Sequence, residues 1–153
     1  MKTDASLRAD NDHGLWAATA VQDVALPELA GDLKVEIAIV GAGFTGLSTA
    51  VHLAEAGAKV AVVDAHFPGY GASGRNGGSV IPGFKLFPSE LREAFGEERG
   101  RAMIEFGGSI VDFTFDLIRR LDIAADAKRN GWICAAHSPG ALPVLRQRCE
   151  DWA

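Results

Sequence analysis

The chain has 153 residues, 48% of them hydrophobic and 23% charged, with a net charge of −5 and a pI near 5.3. That length suffices for one domain burying about two-thirds of its unfolded surface. The composition is that of an ordinary globular protein, and the acidic balance leaves no basic footprint for nucleic acid. The two cysteines, Cys134 and Cys149, lack metal or redox spacing and read as structural thiols in a reducing cytosol.

Residues 1–33 form a leader. Its polar start, Met-Lys-Thr-Asp-Ala-Ser, lacks the apolar core of a signal peptide, so a cytoplasmic protein is expected. No sustained periodicity runs through it. Leu15 to Ala18 is a small apolar island in which Trp16 reads as an anchor packing the leader on the domain. Pro27 and Gly31-Asp32 mark a turn before the first strand.

Residues 34–88 carry the informative pattern. Val35 to Val40 is short, apolar and β-branched, suited to a buried parallel strand. Gly41, Gly43 and Gly46 follow with the spacing G-x-G-x-x-G, and a helical pattern then ends at Gly57, with Leu47, Ala50, Val51 and Ala54 on one face. Val60 to Val63 is a second strand, closing on Asp64. In such a unit Gly41 allows the tight turn, Gly43 the approach of a pyrophosphate and Gly46 close helix–strand packing. The phosphates would meet N–H groups at the helix N-terminus, and Asp64 would accept from a ribose hydroxyl. An acid there would repel the 2′-phosphate of NADP, but FAD and NAD remain alternatives. His52 has no partner apparent from sequence and reads as structural. Ile37 to Ala54 lacks Asp, Glu, Lys and Arg for the length of a membrane span. Its glycines, threonines and His52 predict a strand–turn–helix instead, with no membrane partner.

Ala65 to Pro88 shows no helix or strand pattern and is rich in glycine and proline. It also holds Phe67, Tyr70, Val80, Ile81, Phe84, Leu86 and Phe87, so it is expected to pack, against a ligand among other choices. Residues 89–128 read as helical: Ser89 opens a short helix stopped near Gly96, and a longer one runs from Glu97 to Arg120. The stripe Met103, Phe106, Ile110, Phe113, Leu117 and Leu121 is assigned to its core face. Residues 129–153 begin a further region, with a turn at Asn130-Gly131, a candidate strand Trp132 to Ala136 and a helix from Ala141 to Trp152. Two strands and one candidate are few for a doubly wound sheet, so the chain is expected to be the first part of something larger. No P-loop, H-E-x-x-H, C-x-x-C or G-x-S-x-G motif is present, and no metal ligand set or catalytic residue is assigned.

The run Gly71-Ala-Ser-Gly-Arg-Asn-Gly-Gly78, seven residues after Asp64, makes the combination resemble the D-amino-acid-oxidase-like family of FAD-dependent oxidoreductases. With the leader Trp16-Ala-Ala-Thr-Ala, it looks most like the γ-glutamylputrescine oxidoreductase-type branch, over the N-terminal portion only. The resemblance implies an α/β fold with a Rossmann-like FAD-binding β-α-β start and following helices, truncated before the sheet and substrate domain are complete. It implies that Gly41 to Gly46 hold the FAD pyrophosphate, with Phe44 and Thr45 nearest through their backbone. Asp64 would take the adenosine ribose, with Ala65 near the adenine. Ser73, Arg75, Asn76, Gly77 and Gly78 would pass the pyrophosphate and reach towards the flavin. The family usually has Glu where Asp64 stands. Some relatives link flavin through a histidine in the glycine loop; this loop has none, so noncovalent binding is expected. The implied activity is oxidation of a small amine or amino acid by hydride transfer to flavin, with dioxygen as acceptor. An NAD-dependent dehydrogenase domain and a non-catalytic binding module are the alternatives.

Overall fold

Two four-residue strands, β1 (Ile37–Val40) and β2 (Val60–Val63), pair in parallel with Ile37 opposite Val60 and Val40 opposite Val63. This computed structural model describes residues 14–20 and 26–152. The chain divides into two units, Met1–Gly78 and Ser79–Ala153. The first holds α1 (Gly14–Thr19), the two strands, α2 (Phe44–Glu55) and a 3₁₀ turn at Ala72–Gly74. The second holds α3 (Pro88–Phe95), α4 (Glu97–Arg120), a 3₁₀ turn at Pro139–Ala141 and α5 (Leu142–Trp152).

The β-α-β unit forms where the glycine spacing predicts it. Glu36 N–H donates to Lys59 O at 3.0 Å and Gly41 N–H to Val63 O at 2.8 Å, extending the ladder beyond both ends. Gly57, at φ +90°, ends the helix region as expected. Two details differ. β1 is half-buried only at Ile37 and Ile39; Ala38 and Val40 face outward, Val40 with 86% of its surface exposed. A two-stranded ladder with α2 packed on it leaves β1 with an open face, so β1 alternates rather than being buried throughout. The helix face is also rotated from Leu47–Ala50–Val51–Ala54. Leu47 and Ala54 are exposed, whereas Gly46, Ala50 and Leu53, at spacings of four and three, are half-buried beside Val51. Gly46 sets this phase: a Cβ there would collide with Gly41 O and sit 3.4 Å from Ile39 Cγ2.

The leader contains a helix where no periodicity was expected. Six residues make less than two turns, too short to show a repeat. The span-length apolar run is a strand, turn and helix. Among the described residues, no helix is long and apolar enough to cross a membrane.

In the second unit, α3 starts at Pro88, whose missing N–H suits the first helical position. Glu90 Oε2 accepts from Phe87 N–H at 2.7 Å, and Gly96 ends the helix at φ +82°. Asp151 on α5 accepts from the Ser89 hydroxyl at 2.5 Å, which, with a bond from Gln147, holds its carboxyl below the ordinary range. α4 has the expected boundaries, and Met103, Ile110, Leu117 and Leu121 of the expected stripe are half-buried, but its most buried positions are glycines. Gly100 and Gly107 are buried, and Thr114 and Leu121 continue their seven-residue spacing half-buried. Phe106 and Phe113, assigned to the core stripe, are 63% and 53% exposed. Close backbone approach selects the glycine side: a Cβ on Gly100 would lie 2.6 Å from Arg92 Cα, and one on Gly107 2.9 Å from Gly83 Cα. Gly83 N–H also donates to Gly107 O at 2.9 Å.

Trp132 to Ala136 is not a strand. Ile133 is 92% exposed, and among the described residues no strand pairs with the segment. The Trp132 ring instead carries the Arg148 guanidinium, 4.6 Å from its centroid. Both cysteines are free and exposed, so neither is a core thiol.

Candidate cofactor site

The site lies in the first unit, where the chain leaves β1 and enters α2. Gly41 has φ +105°, a region open to glycine and strained for other residues, and so turns the chain off the strand. Ala42 follows, 5% exposed. Its N–H donates to Asp64 Oδ2 at 2.7 Å and its carbonyl accepts from Gly69 N–H at 2.9 Å. Gly43 caps α2 with extended backbone and no side-chain cap of its own. Ser73 supplies one from the glycine loop: its Oγ accepts from Phe44 N–H at 2.9 Å. A Cβ on Gly43 would stand 2.9 Å from that oxygen.

Asp64 therefore ties the end of β2 to the glycine turn. Its Oδ1 accepts from His66 N–H at 2.9 Å, and the Ala42 and His66 bonds, in that order, hold the carboxyl below its ordinary value of 3.8. The side chain stays at the surface. A carboxylate has about four lone-pair sites, so a ribose hydroxyl can still find an acceptor there.

The glycine loop, expected to be irregular throughout, contains the 3₁₀ turn Ala72–Gly74. Gly74 packs so tightly on Gly69 that a Cβ would collide with the Gly69 carbonyl. Asn76 Nδ2 donates to Ser73 O at 2.8 Å and Ala72 O at 3.2 Å, and Asn76 Oδ1 accepts from Gly78 N–H at 2.7 Å. Arg75 Nε donates to Tyr70 O at 3.0 Å, and its guanidinium lies 4.9 Å from the Tyr70 ring centroid, with His66 stacked on that ring.

Of the twelve sequence-predicted residues, the turn Gly41, Gly43, Phe44, Thr45 and Gly46 meets Asp64 through Ala42 and Ser73 through Phe44. Ala65 is exposed beside Asp64, and Gly77 and Gly78 are exposed at the loop's end. Arg75 is engaged with Tyr70. Sequence reasoning missed the roles of Ala42, Gly69, Tyr70 and Gly74. The available signal was their position: a small residue between turn glycines, and an aromatic inside the loop. His52 Nδ1 lies 2.7 Å from Ser48 O, within its own helix.

The donor set fits an extended diphosphate-bearing cofactor. It has a helix N-terminus, a glycine where a side chain would fill the approach, an acid on the turn and polar loop residues. Among the described residues, no group of three His, Cys, Asp or Glu could hold a metal ion.

The geometry is that of a dinucleotide-binding β-α-β unit. Residues 36–153 match the model of the FAD dependent oxidoreductase family, DAO, and the chain belongs to that family. Its fold is accordingly Rossmann-like and its cofactor FAD. The chain is similar to γ-glutamylputrescine oxidoreductase of Escherichia coli K12, 34% identical over 140 residues, which is 90% of this chain and 32% of that protein. It is also similar to probable oxidoreductases OrdL. The Haemophilus influenzae protein is 35% identical over 71% of this chain and 25% of its own length. The Rhizobium meliloti protein is 37% identical over 59% of this chain and 21% of its own. The chain thus spans a third or less of these relatives. No solved structure matches significantly.

Proposed function

We propose that this chain is the N-terminal FAD-binding part of a cytoplasmic oxidoreductase that oxidises a small amine or amino acid at its C–N bond. The observation that carries the reading is the Asp64 carboxylate locked onto the glycine turn, with the Ser73 loop closing over the helix N-terminus. The match to a relative whose name specifies a γ-glutamylated amine supports the substrate class.

In this reading, backbone groups of Gly41, Gly43, Phe44, Thr45 and Gly46 bind the pyrophosphate, where the helix dipole favours negative charge. Asp64 orients the adenosine ribose and Ala65 lies by the adenine. Ser73, Arg75 and Asn76 line the path towards the ring, and Gly77 and Gly78 let backbone approach its flat face. Binding is noncovalent. When bound, FAD supplies a two-electron acceptor for hydride from the carbon bearing nitrogen, with dioxygen as the final acceptor. The residues described here bind and orient; the domain boundaries at 33/34, 88/89 and 128/129 belong to the same proposal.

The test is titration of the full protein with FAD and with NAD, followed by anaerobic addition of small amines and amino acids while flavin absorbance is recorded. FAD binds more tightly than NAD, and an amine or amino acid bleaches it. Tight NAD binding without FAD binding would sink the cofactor assignment. FAD binding with no bleaching by any such substrate would leave a non-catalytic module.

A further inference from the structure

The leader helix meets the glycine loop through Trp16. Trp16 Nε1–H donates to Asn76 O at 2.7 Å across 60 residues of sequence. Its indole also lies against Gly78: a Cβ on Gly78 would stand 2.7 Å from Trp16 Cζ2 and 3.0 Å from Cη2. Gly78 has φ +68°, so glycine is suited to that position on conformational and steric grounds together. A cavity of about 480 Å³ opens beside this contact, lined by Leu15, Trp16, Gly74, Arg75, Asn76 and Gly77.

We propose that Trp16 is a positioning residue for the cofactor: it clamps Asn76 and Gly78 and so pre-orders the loop that receives the flavin end of FAD. The inference rests on the FAD reading above. Asn76 is the hub of the loop. Its amide holds Ala72, Ser73 and Gly78 through three backbone bonds, and its own carbonyl is held by Trp16. Ser73 in turn caps Phe44 at the pyrophosphate end. Fixing Asn76 from outside therefore bears on the whole path from Ser73 to Gly78. A loop ordered beforehand loses less conformational freedom when ligand binds, which strengthens binding without any new contact to the ligand.

Two substitutions in the full protein test this. Trp16→Phe keeps an aromatic ring and removes the N–H; Trp16→Ala removes both. Trypsin cleavage after Arg75 is followed by mass spectrometry without FAD, because it reads loop order independently of the cofactor. FAD affinity is then measured by flavin fluorescence, and thermal midpoints check the fold. Trp16→Phe is expected to speed cleavage and weaken FAD binding, each by about 2- to 13-fold, the loss of one neutral hydrogen bond. Trp16→Ala exceeds it in both, and saturating FAD slows cleavage in all three proteins. If Trp16→Ala fails to fold, Trp16→Phe decides alone. Wild-type cleavage in the Phe variant overturns the clamp, and faster cleavage with unchanged FAD affinity overturns its role for the cofactor. A wild-type protein that binds no FAD overturns the underlying cofactor reading. Wild type that binds FAD, matched by both variants, overturns only the role of Trp16.

Discussion

Asp64→Ala is predicted to destabilise the protein before any cofactor is added. The substitution removes acceptors from two backbone donors, Ala42 N–H at 2.7 Å and His66 N–H at 2.9 Å. His66 is exposed, so water replaces its partner; Ala42 is 5% exposed and its donor is left poorly solvated. A hydrogen bond to a charged group contributes about 1.5–3 kcal/mol, reduced here by screening around a surface carboxylate to about 1–2 kcal/mol. The assay is urea unfolding of the cofactor-free protein across pH. Because the folded carboxyl is held below 3.8, its contribution is present above that value and is lost as pH falls through the lower folded pKa. Wild type and Asp64→Ala therefore differ at neutral pH and converge in acid. Asp64→Asn, retaining a neutral acceptor, lies between them and lacks the acid slope. Equal stability of wild type and Asp64→Ala at neutral pH, or a gap that persists in strong acid, would refute the reasoning.

Gly43→Val is expected to abolish FAD retention, since its Cβ meets Ser73 Oγ and its branches fill the pyrophosphate approach. Asp64→Ala weakens FAD binding by only about 10- to 150-fold, and a folded Gly43→Val protein with wild-type affinity would show the site is misplaced. Gly100→Ala is expected to destabilise the second unit by about 1–3 kcal/mol through its clash with Arg92 backbone. Gly108→Ala, on the same helix with open space around its Cβ, is expected to stabilise it by about 1 kcal/mol. Helix loss in denaturant compares the two, and changes of the same sign would contradict the packing described.

The sequence revealed the order of elements better than their packing. Glycine spacing, a β-branched run on each side and a closing acid located β1, α2 and β2, because those choices follow from backbone sterics within a few residues. Helix phase followed only in part. Hydrophobic periodicity turned Ala50 and Val51, and Met103, Ile110, Leu117 and Leu121, to the correct side, but Leu47, Ala54, Phe106 and Phe113 are exposed, because around Gly46, Gly100 and Gly107 a missing side chain sets the closest approach. Trp132 to Ala136 has strand-like residues, but a strand exists only with a partner, and pairing is not encoded in the segment itself. α1 escaped notice because six residues cannot display a helical repeat. At the site, the turn, the acid and the loop were visible as separate motifs. Their linkage through Ala42, Ser73 and Asn76 was not, since each link joins a side chain to backbone, and any sequence supplies backbone.

That linkage shapes how a diphosphate is received. Phe44 N–H donates to the Ser73 hydroxyl and Ala42 N–H to Asp64. These two donors of the glycine turn are thus held in place by groups from later in the chain. Under the FAD assignment, a phosphate oxygen near Phe44 competes with a neutral hydroxyl, and a charged acceptor there makes the stronger bond. The Asp64 bond to Ala42 has no such reason to break, because an anion is an unfavourable neighbour for a carboxylate and the ribose is not. On that assignment Phe44 would exchange its acceptor on binding, whereas Ala42 would keep its own. On that assignment an acid at position 64 is compatible with a neighbouring site for phosphates, where charge alone would argue against one. Its electrostatic cost is offset by a hydrogen bond that holds the turn in shape.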